Sequence, residues 1–115
     1  MQREISQSLL DALNACQAIR EFTQGQTFDQ YRENKLLRSG VERQFEIMGE
    51  AFNRIDVINA TFRERLPEMG AVIGMRNRII HGHDSVDDSI IWDAVQRHVP
   101  RLTVWLENLQ RISPP

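Results

Sequence analysis

Leu37, Val41, Phe45, Met48, Phe52 and Ile55 step along the middle of the chain by 4, 4, 3, 4 and 3. An α-helix puts such positions on one face, whereas a strand sends successive side chains to opposite faces. The mean step is near 3.5, the repeat of helices packed almost antiparallel in a bundle. Helical spacing recurs in Ile5, Leu9, Ala12, Leu13, Cys16 and Ile19, and again in Ile91, Val95, Leu102, Leu106 and Leu109. No segment alternates with period two for long enough to make a sheet. Six glycines and four prolines are few for the turns of a β-rich domain. The sequence predicts an all-α fold, an antiparallel, up-down bundle of four to five helices.

Local signals place the helix ends. The first helix is predicted from about Arg3 to Thr23, stopped by Gly25. Thr27-Phe28-Asp29-Gln30 is a capping box, in which Thr27 caps a second helical region and Gln30 reaches back. That region is predicted to run to about Asn59, with a kink or a division at Ser39-Gly40. Thr61 to Leu66 reads as a short helical turn. Pro67 suits the first position of the next helix, and Glu68 suits its first turn. This helix is predicted to end at Ile80 or His81. Ser85 or Asp87 then caps a last helix, which Pro100 is expected to kink or split. Trp92 and Trp105 on that helix read as core or interface anchors.

With 115 residues, the chain has the size of one domain, spanning 1–115. A hydrophobic content of 41% and a charged content of 26% are ordinary for a globular protein. The formal net charge of −2 gives no global attraction to nucleic acid, so an RNA-binding surface has to be a local patch. Cys16 is the single cysteine, which excludes an intrachain disulfide and fits a reducing compartment. It lies on the apolar stripe of the first helix and is expected in the core. The N-terminal stretch mixes acids into its apolar run, unlike a signal peptide. No apolar run approaches the roughly 20 residues of a membrane span. A cytoplasmic protein is expected.

The chemistry concentrates in Arg76-Asn77-Arg78-Ile79-Ile80-His81-Gly82-His83, with no acid from Met69 to His83. On a helix, Met69, Ile73, Arg76, Ile80 and His83 form one stripe. Arg76 interrupts its apolar face and needs either a partner or an open cleft, because an unpaired buried charge is costly. It can bind phosphate, or it can form a structural ion pair with Glu46 or Glu50 on the preceding helix. Gly70, Gly74, Asn77 and His81 form the neighbouring stripe, a strip without bulk that a nucleotide or another helix can approach. Asn77 and His81 are i,i+4 neighbours, and Asn77 can orient the imidazole or touch substrate. His81 has the ordinary pKa suited to proton transfer near neutrality. It equally suits a helix end, followed by Gly82 as a left-handed cap.

Arginine plus histidine suggests metal-free phosphodiester cleavage. One histidine per chain leaves a second proton-transfer role for His83, or for His81 of a second subunit. Arg76 and His81 are five residues apart, about 140° around the helix, so a joint site needs the helix to end there or a second chain. His81 and His83 followed by Asp84, Asp87 and Asp88 match no specific zinc pattern, and no metal or other cofactor is expected. His98 has no evident catalytic neighbour, and a surface or packing role is expected for it.

Gly74 through His81 resembles the R-N-x-x-x-H signature of HEPN domains, and within them the HepT-like ribonuclease toxins. Ile47-Met48-Gly49-Glu50-Ala51, Pro67-Glu68-Met69, and Val86-Asp87 through Ile90-Ile91-Trp92-Asp93 resemble three further stretches of that branch, in order along nearly the whole chain. The resemblance implies an antiparallel helical bundle that forms a homodimer. It implies a metal-independent RNase with Arg76 and His81 of both chains in the dimer cleft. Asn77, Arg78 and His83 are candidate supporting residues from the reading of the residues themselves, not from the resemblance. The resemblance also implies a minimal nucleotidyltransferase antitoxin as partner.

The chain departs from the pattern at two places. His83 stands where the branch usually has a tyrosine, the residue to which the antitoxin attaches AMP; Tyr31 is the chain's only tyrosine. The branch's tryptophan near positions 68–71 is also missing. Two other readings stay open on the residues: a non-catalytic subunit that binds nucleotide or docks a nucleotidyltransferase, and a bare dimerisation module.

Overall fold

The structure, a computed structural model, describes residues 2–82 and 86–112, with the side chains of the last two left aside. It is all α, as the periodicity predicts, and among the described residues there is no strand. Helices α1 (Arg3–Thr23), α2 (Phe28–Glu33), α3 (Lys35–Ile58), α4 (Met69–His81) and α5 (Asp88–Ile112) follow in order, with a 3-10 helix, Ala60–Arg65, between α3 and α4.

The ends have local causes. Gly25 takes a φ of 74°, a left-handed conformation that costs a glycine little, and turns the chain after α1. The Thr27 hydroxyl accepts the Gln30 N–H at 3.1 Å while Gln30 Oε1 accepts the Thr27 N–H at 2.8 Å. The division expected at Ser39-Gly40 falls instead at Asn34. Its side chain accepts the Leu37 N–H at 3.0 Å and starts α3, one residue after α2 ends. Gly40 lies inside α3, where a Cβ would stand in ordinary contact with the Phe22 ring of α1 at 3.4 Å. Pro67 and Glu68 precede α4 rather than opening it. Asp87 precedes α5 and accepts from the Ser89 N–H at 2.8 Å; Ser85 lies outside the described residues. Pro100 does not split α5, which runs through it to Ile112, with Pro100 exposed.

α1 and α3 run antiparallel. Phe22 packs at Gly40, Cys16 Sγ lies 3.9 Å from Met48 Sδ, and Arg54 reaches Ser8 and Asp11 at 3.2 and 3.1 Å. The predicted stripes are the buried ones: Ile5, Leu9, Ala12, Cys16 and Ile19 on α1, and Val41, Phe45, Met48, Phe52 and Ile55 on α3. Ile91, Val95, Leu102, Leu106 and Leu109 of α5 close the same core. Each large side chain so buried stabilises the fold by about 1.5–3 kcal/mol.

α4 is laid against this frame at both ends. At its start, the Glu68 carboxylate takes His98 Nδ1 and, at 3.4 Å, Arg101 Nη1, both from α5. At its end, Met75 and Ile79 meet Val86, Ile90 and Ile91 around a small cleft. No helix among the described residues is long and apolar enough to cross a membrane.

Candidate functional site

Met69, Val72, Ile73, Met75 and Ile79 bury one side of α4. That orientation decides which polar side chains are presented. Gly74, Asn77, Arg78 and His81 are exposed, and Arg76 and Ile80 are half-buried at the border.

Arg76 lies where α4 meets α3. Gly49 of α3 is buried, and a Cβ added to it would stand 2.4 Å from Arg76 Cβ and 2.8 Å from Arg76 Cγ. The arginine stem therefore lies directly on the α3 backbone. Its Nη1 donates to Asn77 Oδ1 at 3.1 Å, and its Nε is buried with no hydrogen-bond partner. The ion pair considered for Arg76 does not form. Glu46 and Glu50 lie 3.0 and 4.0 Å from Arg43 Nη1, and no carboxylate among the described residues is within ion-pair distance of Arg76. The guanidinium is held by its stem and one amide, with donor capacity to spare.

His81 is the last residue of α4, exposed, one turn beyond Asn77. The Gly82 N–H donates to Arg78 O at 2.9 Å and closes the last turn, but at a φ of −138° rather than in the left-handed form expected of it. Within one chain no hydrogen bond joins His81 to Arg76 among the described residues, in keeping with their angular separation on α4. Arg78 points away from Arg76 and lines the cleft toward Asp87, just before α5, and Ile90 of α5. His83 and Asp84 lie outside the described residues. The strip over Gly74 is empty, with nothing within 4 Å of an added Cβ.

Tyr31 cannot stand in for a hydroxyl at position 83. It is 0% exposed, stacked on Trp92 at 5.2 Å, and burial pushes its phenol pKa up. Trp92 is thus a partly buried anchor packed against the core, while Trp105 is 45% exposed. His98, expected in a surface or packing role, joins α5 to Glu68. Sequence reasoning named Arg76, Asn77 and His81 but passed over the part Gly49 plays. Its signal was a glycine within a helix, where it costs about 1 kcal/mol relative to alanine and so calls for a packing reason.

An α-helical bundle that presents an uncommitted arginine and an exposed histidine on one short helix has the parts of a phosphodiester-binding protein. Comparison with known proteins gives the class a family. The family model Ribonuclease HepT-like matches residues 12–109, and the chain belongs to this family. "Putative RNase MJ1380" of Methanocaldococcus jannaschii is 32% identical over 102 residues, 87% of this chain and 91% of that one. "Probable ribonuclease HepT" of Thermococcus cleftensis is 30% identical over 113 residues, 96% of this chain and all of that one. No solved structure matches the chain.

Proposed function

We propose that the chain is the toxin of a toxin–antitoxin pair, a metal-independent endoribonuclease whose site is built from Arg76 and His81 of two facing chains. The observation that carries this reading is the state of Arg76. Among the described residues its half-buried guanidinium has no carboxylate partner, and it donates to Asn77 Oδ1. An RNA phosphate supplies the missing anion in the bidentate geometry that guanidinium favours.

In the reaction, His81 of one chain takes the proton of the ribose 2′-hydroxyl. The 2′-oxygen bonds to phosphorus and the bond from phosphorus to the 5′-oxygen breaks. His81 of the second chain returns a proton to that 5′-oxygen, leaving a 2′,3′-cyclic phosphate and a 5′-hydroxyl. Arg76 stabilises the charge that builds on the phosphorus oxygens. Asn77 holds Arg76, and His83 and Arg78 are the further candidates for contact with RNA.

The partner is a minimal nucleotidyltransferase. With histidine at 83 and Tyr31 buried, no tyrosine hydroxyl is available to take AMP, and the partner silences the toxin by covering the cleft. Mass spectrometry after co-expression should then show no AMP adduct on tyrosine.

The deciding assay is RNA cleavage in EDTA. The wild type should cut, and His81→Ala and Arg76→Ala should each lose about 10²-fold or more while remaining helical. Cleavage that survives both changes sinks the proposal. RNA or nucleotide bound but never cut would mark the chain as a non-catalytic docking subunit.

A further inference from the structure

Gly49 lies on α3, far in sequence from the residues that carry the chemistry, yet the three atoms nearest to where its Cβ would stand all belong to Arg76. A Cβ there would be 2.4 Å from Arg76 Cβ, 2.8 Å from Cγ and 3.4 Å from Cδ. These are three consecutive carbons of one side chain, so the stem is stretched along the α3 backbone. The first cannot swing aside, because Cβ is fixed by the α4 backbone, and the second can do so only by a change of χ1 that redirects the whole side chain. Ordinary contact between carbons is about 3.5–4.0 Å, so any side chain at 49 pushes α4 away by about 1 Å.

The two glycines of α4 do nothing similar. Gly74 faces open space, and a Cβ on Gly70 would stand 3.2 Å from the far end of the Arg63 side chain. Beyond the stem, Arg76 is steadied by Asn77 Oδ1 at 3.1 Å, while Nε is buried and unpartnered. Glu46 and Glu50 on α3 lie 3.0 and 4.0 Å from Arg43 Nη1. α3 thus offers Arg76 a bare backbone and, among the described residues, no carboxylate within ion-pair distance.

We propose that Gly49 is a positioning residue for RNA cleavage. It sets the depth at which the Arg76 guanidinium sits, and so whether the guanidinium reaches the phosphorus oxygens as charge builds on them. The inference rests on the reading of Arg76 as the phosphate-binding group.

A double-mutant cycle tests it. Cleavage is measured for wild type, Gly49→Ala, Arg76→Lys and the double variant, at a temperature where all four are folded. Gly49→Ala should lower kcat by about 10- to 100-fold, as expected for a misplacement of about 1 Å, and leave KM for RNA within about twofold. Arg76→Lys, severe in the wild type, should cost little more in the Gly49→Ala background. An equal cost of Arg76→Lys in both backgrounds overturns the proposal, because a glycine needed only for packing would not couple to the guanidinium. Should Gly49→Ala fail to fold, the same contact is read from stability. Arg76→Gly removes the opposing Cβ, and Gly49→Ala placed in that background should regain most of its lost Tm. No regain overturns the proposal. A wild type that leaves RNA intact sinks the nuclease reading, and the stability cycle then decides whether Gly49 governs Arg76.

Discussion

At the scale of single residues, environment separates groups that look alike in the sequence. Arg43, Arg54 and Arg63 each pair with acids, Arg63 to both Asp56 oxygens at 3.0 and 2.7 Å, while Arg76 is left to an amide. Asn77→Ala should therefore free the guanidinium at modest cost. Losing one hydrogen bond of about 1 kcal/mol predicts a fall in kcat of about fivefold, with Tm little changed because Asn77 is exposed. Paired assays of cleavage and melting check this. Cys16 gives a second test. Burial pushes its thiol up to about 12, although a hydrogen bond from Thr103 works the other way. Its reactive thiolate is thus absent at neutral pH, and alkylation should begin only in denaturant. Modification of the native protein at the rate of a free thiol would contradict the buried position.

At the scale of elements, short-range signals set most of the helix ends. The Thr27–Gln30 box and Asp87 satisfy N–H groups that a helix start leaves unpaired. Thr27→Ala should cost about 1 kcal/mol, read from urea denaturation. Asp87 adds a pH dependence. Hydrogen bonds from the Ser89 hydroxyl and N–H hold its carboxyl below the usual carboxylate range, and Arg63 does the same for Asp56. Both pKa values are lowered by folding. Their contribution is thus complete above the unfolded value of about 3.9 and is lost as pH falls through the folded values. The double variant Asp56→Asn with Asp87→Asn should lose less Tm than wild type over that acidic window; equal acid limbs would refute the assignment. The break at Asn34 and the unbroken passage of α5 through Pro100 were not legible locally. Ser39-Gly40 looks like the weaker point, but α3 runs unbroken through it, with the Phe22 ring of α1 beside Gly40. α5 tolerates Pro100 because Val99 and Leu102 beside it are wholly buried, and that packing outweighs one missing hydrogen bond.

At the scale of the molecule, α1, α3 and α5 form one core, and α4 is held against it from Glu68 to Ile79. Phe52→Ala, at the centre, should cost about 3–5 kcal/mol, a large share of a total of about 5–15 kcal/mol. Chemical denaturation would show it, and a loss below about 1 kcal/mol would mean that Phe52 is not packed as described. The sequence by itself determined the helical class, most of the helix ends, the buried stripes and the names of Arg76, Asn77 and His81. Periodicity and caps act within a few residues and need no partner. Only the tertiary structure decided which acids Arg76 would not meet, that His98 would hold Glu68, and that Gly49 would lie beneath the arginine stem. Those outcomes depend on how α4 crosses α3 and α5. The packing of side chains far apart in the chain fixes that crossing, and no local spacing encodes it.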